Sequence, residues 1–95
     1  MNIINKILNF FDKPKFRPDL KTRFIEEKRW NGSFYYPQYL YRGEWIYFEE
    51  MIYGMKGLYY SDDKVYSDTI EDAMNFVKTK MIFSKPTEYV IHENP

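Results

Sequence analysis

Residues 34–48 read FYYPQYLYRGEWIYF, and eight of the fifteen are aromatic. Side chains of an extended chain point alternately to opposite faces, so the stretch reads as two aromatic strands meeting at Gly43. How that corner is built decides which rings share a face. A two-residue loop, Arg42-Gly43, forces Arg42 to positive φ. A three-residue loop, Tyr41-Arg42-Gly43, with Gly43 left-handed in a G1 bulge, avoids this and is the expected form. It sets Tyr39 opposite Trp45 and Pro37 opposite Tyr47, which gathers Tyr35, Tyr39, Trp45 and Tyr47 on one face. Phe34, Tyr36, Leu40, Ile46 and Phe48 take the other. The second set is the more apolar and is the better candidate for packing beneath a helix.

Outward from this hairpin the pattern stays readable. Residues 21–29 (KTRFIEEKR) form a strand, joined to the next at Asn31-Gly32, a type I′ hairpin signal. A one-residue slip there decides whether Phe24 or Ile25 joins the tyrosine face. Pro37 argues for a bulge or an edge position. Residues 50–66 are the least regular, with short strands at 58–60 and 65–66 around a turn at Ser61-Asp62-Asp63-Lys64. Asp68 is the expected cap of a following helix, with Glu71 three residues on as in a capping box. Ile70, Ala73, Met74, Val77 and Met81 form its apolar stripe. After Pro86, TEYVIHE alternates like a final edge strand.

At the other end, residues 2–12 (NIINKILNFFD) segregate cleanly on a helical wheel. Ile3, Ile4, Ile7, Leu8, Phe10 and Phe11 fall within an arc of about 160°. Pro14 and Pro18 end this helix and make an extended linker. The expected fold class is therefore α+β: an antiparallel sheet of about four to five strands with one helix packed on a face, plus an N-terminal amphipathic helix. Residues 1–18 are the helix and linker, and residues 19–95 the single α+β domain.

The run 65–77, VYSDTIEDAMNFV, following aromatic hairpins, resembles the F-x-T-x-E-E-A-type helix start of small, mostly uncharacterised phage and bacterial proteins. The resemblance spans about residues 22–80, and it implies a phage-like source and no catalytic residues. Composition agrees with an AT-rich genome: Phe, Tyr, Met, Ile, Asn and Lys make 48 of 95 residues, against 14 for Gly, Ala, Arg and Pro.

The chain has no cysteine, which excludes disulfides and thiolate zinc sites. No signal peptide or membrane-length apolar run is visible, so a soluble, cytoplasmic protein is expected, in the host cytoplasm if phage-encoded. Net charge is zero, which argues against a bulk nucleic-acid binder. The charge is unevenly placed: residues 13–30 carry a basic excess of four and residues 44–72 an acidic excess of six. His92 is the sole histidine, and no nucleophile–base pairing, clustered metal ligands or phosphate-loop pattern is present. The expectation is a protein that is not an enzyme and needs no cofactor or metal.

The helix near residues 69–81 covers only one sheet face. The tyrosine face is therefore covered either by the N-terminal helix, folding its Ile/Leu/Phe face back over it, or by something else. Three readings follow. The first is a stoichiometric protein-binding surface formed by Tyr35, Tyr39, Trp45 and Tyr47 or by Ile3, Ile7 and Phe11, with the acidic region steering a basic partner. The second is a single-stranded nucleic-acid binder using the same tyrosines with Arg23, Lys28 and Arg29. The third is a structural or homo-oligomeric component with both faces buried. A membrane anchor formed by residues 2–12 is disfavoured, because its polar face is mostly Asn.

Overall fold

The computed structural model describes residues 13–85 and 89–94. The expected N-terminal helix, with Ile3, Ile7 and Phe11, lies outside them. The rest is an antiparallel five-stranded sheet and one helix. The strands are β1 (Thr22–Arg29), β2 (Gly32–Tyr41), β3 (Glu44–Tyr47), β4 (Leu58–Ser61) and β5 (Lys64–Ser67), followed by helix α1 (Ile70–Phe83). Strand order is β1-β2-β5-β4, and β3 shares the β5 side of β2.

Strand β2 is central because it alone has three partners. Pro37 sits in its middle without a bulge, since the β1 register runs unbroken from Thr22↔Tyr39 to Arg29↔Gly32. The reason lies in ladder alternation. Leu40 N–H donates to the Lys21 carbonyl at 2.8 Å, so even-numbered residues of β2 bond to β1 and odd-numbered ones face the other side. There Pro37 falls between β3, which pairs with residues 38–41, and β5, which pairs at Tyr35. The missing N–H costs no ladder bond.

The corners depart from expectation in an informative way. Leu40 pairs with Trp45 and Tyr41 with Glu44, so the loop is the two-residue Arg42-Gly43, with φ of 50° and 80°. This is the type I′ corner whose twist matches that of the strands, adopted despite the left-handed Arg42. The first hairpin turns at Trp30-Asn31, one residue earlier than expected, and its positive φ falls on Gly32. The expected turn between β4 and β5 is present, with Asp62 and Asp63 both left-handed, a conformation Asp tolerates better than most residues.

Thr69, rather than Asp68, caps α1. Its backbone is extended and its Oγ1 accepts from Asp72 N–H at 3.2 Å. Ala73, Phe76 and Val77 are the buried residues of the helix. Met74, assigned to the apolar stripe by sequence, is 42 % exposed. The core joins Phe76 to Phe48 (ring centroids 5.2 Å apart), and Phe48 to Tyr39 (4.9 Å) and Phe16 (5.0 Å). Val65, Leu58 and Val77 complete it. Phe16 comes from the supposed linker, which thus contributes one buried ring to the core while Lys13, Pro14, Lys15 and Arg17 stay exposed. Residues 89–94 form no strand, and Tyr89, Val90 and Ile91 are exposed: the alternation of TEYVIHE finds no sheet edge to pair with.

Phe76 has no exposed surface, so Phe76→Ala is expected to cost about 3–5 kcal/mol in urea unfolding. Gly43 has open space where a Cβ would stand, and Gly43→Ala should cost only the conformational penalty of about 1–2 kcal/mol. At Gly57 the same Cβ would fall on the Asp72 carboxylate, so Gly57→Ala should lower the urea midpoint further than Gly43→Ala does.

Candidate functional site

Directly paired residues of a sheet share a face, so the register sorts every side chain. The α1 side receives Phe24, Pro37, Tyr39, Ile46, Leu58, Val65 and Ser67. The opposite side receives Arg23, Ile25, Glu27 and Arg29 of β1 and Phe34, Tyr36, Gln38 and Leu40 of β2. Trp45 and Tyr47 of β3, Tyr59 and Ser61 of β4, and Lys64 and Tyr66 of β5 complete it. No helix or strand of the described chain packs over this second side.

The three tyrosines and one tryptophan expected to act together are therefore divided. Tyr39 is buried in the core at 5 % exposure, and Tyr35, paired with Glu26 and Ser67, lies on the same covered side. Trp45 and Tyr47 lie on the open side, joined by Phe34, Tyr36, Tyr59 and Tyr66. The sequence pattern places Phe34 and Tyr36 with the helix-packing set and gives Tyr59 and Tyr66 no role. One residue of loop length accounts for the exchange, because it flips the whole of β3 relative to β2. Phe24 joins Tyr39, and Ile25 joins Tyr36. Of the three cations named with the tyrosines, Arg23 and Arg29 are on the open side and Lys28 is not.

The open side is a continuous aromatic row crossing four strands. Tyr59 stacks on Tyr66 at 5.5 Å between centroids, Tyr66 on Tyr36 at 5.1 Å, and Tyr36 meets Tyr47 edge-on at 6.0 Å. Phe34 abuts Tyr66 edge-on at 5.8 Å. Three cations lie against these rings: Arg23 over Trp45 at 4.1 Å, Lys64 over Tyr47 at 4.5 Å and Arg29 over Phe34 at 4.8 Å. Arg23 Nε also donates to Gln38 Oε1 at 2.7 Å, which satisfies an amide that is only 4 % exposed. Arg29 pairs with Glu27 and donates to Tyr36 Oη at 3.4 Å.

Charge is sorted along with the rings. Of the acids in residues 44–72, Glu44 pairs with Tyr41 on the covered side, and Asp68, Glu71 and Asp72 sit at the start of α1. Asp63 accepts from Tyr60, which lies on the covered side, while Asp62, at the β4–β5 corner, borders the open side. Arg23 and Lys64 form no ion pair among the described residues, and the three cations of this side outnumber its acids Glu27 and Asp62 by one. Lys80 on α1 reaches Glu50 instead, at 3.9 Å.

Among the described residues no group of three or more His, Cys, Asp or Glu is placed to hold a metal ion, and no helix is long and apolar enough to cross a membrane. No protein-family model matches the sequence, and no curated protein or solved structure shows significant similarity to it.

Burial pushes the Tyr36 phenol above its ordinary value near 10, and the Glu27 charge adds to this. Burial does the same to Tyr39. The folded state thus holds these protons more tightly than the unfolded chain. Their contribution to stability is complete below pH 10 and is lost as pH rises from there through the raised folded values. The urea midpoint should accordingly fall between pH 9 and pH 11 (about one unit either side of the ordinary tyrosine value), and Tyr36→Phe should make that fall shallower.

Proposed function

We infer that this chain is a small accessory protein of the phage type that works by stoichiometric binding, presenting the open aromatic side of its sheet to a protein with an acidic surface. The observation that carries this reading is the row Tyr59–Tyr66–Tyr36–Tyr47 with Arg23, Arg29 and Lys64 laid on its rings. Tyr, Trp and Arg are the residues that dominate binding energy at protein interfaces. Tyrosines locked by mutual stacking also lose little side-chain entropy on docking. The partner's sign is the reverse of the one suggested by the acidic run in the sequence, because that run faces away from the rings.

Single-stranded nucleic acid is the competing ligand for a basic aromatic sheet. Ring orientation weighs against it. Base stacking requires free ring faces, and here those of Tyr36 and Tyr66 are turned toward neighbouring tyrosines, while Trp45, Tyr47 and Phe34 each carry a cation. Of the six rings only Tyr59 is a large exposed one, at 45 %.

The test is affinity capture by the tagged full chain from nuclease-treated lysate of the cells in which it is expressed naturally. One protein should be retained in equimolar amount. Tyr47→Ala and Arg23→Glu should each reduce retention about tenfold or more, while Lys78→Glu on the exposed side of α1 leaves it unchanged. Retention indifferent to Tyr47 and Arg23, or abolished by the nuclease, overturns the reading.

A further inference from the structure

The open face is not flat. Between β1, β2, β3 and the β4–β5 corner lies a depression of about 200 Å³ whose walls include Arg29, Tyr36, Tyr47, Ser61 and Lys64. Its hydrogen-bonding inventory is lopsided. Arg29 N–H donates to Tyr36 Oη, so the phenol's own hydrogen is directed elsewhere, and it meets no acceptor among the described residues. Lys64 carries three N–H donors; its described contact is with the Tyr47 ring, which supplies no carboxylate. The Ser61 hydroxyl is likewise uncommitted among the described residues. The lining also holds two carboxylates: Glu27, which is engaged by Arg29, and Asp62 at the β4–β5 corner.

The geometry points to this depression as an anion site that takes a carboxylate, the acidic side chain of a docking protein, on Lys64 Nζ, Tyr36 O–H and Ser61 O–H. It deepens the docking reading by naming the group recognised, although its chemistry stands on the donors alone. A phenol is protonated at neutral pH, and burial pushes Tyr36 further from ionisation, so it can donate. The ring of Tyr47 beneath Lys64 fixes the ammonium without neutralising it. Choice between anions follows from the acids at the rim. Glu27 cancels the charge of Arg29, and Asp62 borders the depression from the β4–β5 corner. Two cations balanced by two acids in the lining leave no basic groove for a run of phosphodiesters, whereas a single carboxylate needs only the three donors.

Two substitutions with opposite signs test this. Lys64→Gln removes the cation. Asp62→Asn removes the opposing charge at a left-handed position that Asn tolerates as well as Asp does. The full chain, labelled with ¹⁵N, is titrated at low salt with N-acetylated, C-amidated hexaglutamate and, separately, with octathymidylate. Hexaglutamate should give saturating shifts centred on Ser61, Lys64 and Tyr66. Lys64→Gln should weaken binding about tenfold or more and Asp62→Asn should tighten it about two- to fivefold, both with unchanged spectra elsewhere.

Peptide binding that ignores both substitutions overturns the site. So does octathymidylate producing the same shifts while hexaglutamate produces none, or silence from both probes. Failure here is separable from failure of the docking reading. Cellular capture that depends on Tyr47 and Arg23 without any hexaglutamate binding removes the anion site alone. Lys64-dependent hexaglutamate binding without capture removes the docking partner alone.

Discussion

The tight corner at Arg42-Gly43 fixes the parity of β3, and nearly everything else in the molecule depends on that parity. With two residues in the loop, Trp45 stands beside Leu40 and Ile46 beside Tyr39. Phe48 then enters the side of the sheet where Phe76, Tyr39 and Phe16 converge. A third loop residue would reverse β3, swing Phe48 out to solvent and bring Trp45 and Tyr47 inward. The local cost of the tight corner is one left-handed arginine, about 1–2 kcal/mol. Exposing the Phe48 ring would cost about 1.5–3 kcal/mol by area alone, before the loss of its packing against three other rings. The corner is chosen by the core it completes, against the preference of Arg42.

The same parity explains how a small sheet tolerates a side without a covering helix. Antiparallel sheets ordinarily meet water through polar alternation. This one does so through tyrosine. Each ring buries its flanks against the next, so the row from Tyr59 to Tyr47 supplies an apolar layer from within the sheet, and Arg23, Arg29 and Lys64 cover much of what remains. Such a surface is stable in water and retains amphipathic groups suited to a partner. Its rigidity comes from cross-strand neighbours, the sheet counterpart of packing between helices.

Much of this was legible in the sequence and some was not, for reasons that can be assigned to particular residues. Hydrophobic alternation located β1 to β3, the Asp62-Asp63 turn located β4 and β5, and the apolar stripe located α1. The face assignments failed at one point, the loop length, because local conformational preference argued for the wrong corner and the deciding contact, Phe48 with Phe76, is distant in sequence. The cap moved from Asp68 to Thr69 because both residues suit an N-cap, and spacing to Glu71 or Asp72 does not separate them. Phe16 was hidden between two prolines that read as linker. TEYVIHE carries a strand pattern, but a pattern specifies a strand only where a partner edge is within reach.

Net charge is the quantity that the fold redistributes most. A total of zero, with an acidic run through residues 44–72, suggested a surface suited to basic partners. Charge acts at a surface, however, and the pleat distributes consecutive residues to opposite surfaces. Glu44 and Trp45 are neighbours in sequence and stand on opposite sides of the sheet. So do Lys28 and Arg29. Once each side is counted separately, the aromatic row lies among three cations and two acids, an excess of one positive charge in place of the acidic excess of its stretch of sequence. Because screening at physiological salt confines such fields to about 8 Å, a docking partner would sense the local basic side rather than the neutral whole. The neutral total is the sum of two opposed surfaces, and under the proposed docking it is the local sign of the surface holding the rings that would select the partner.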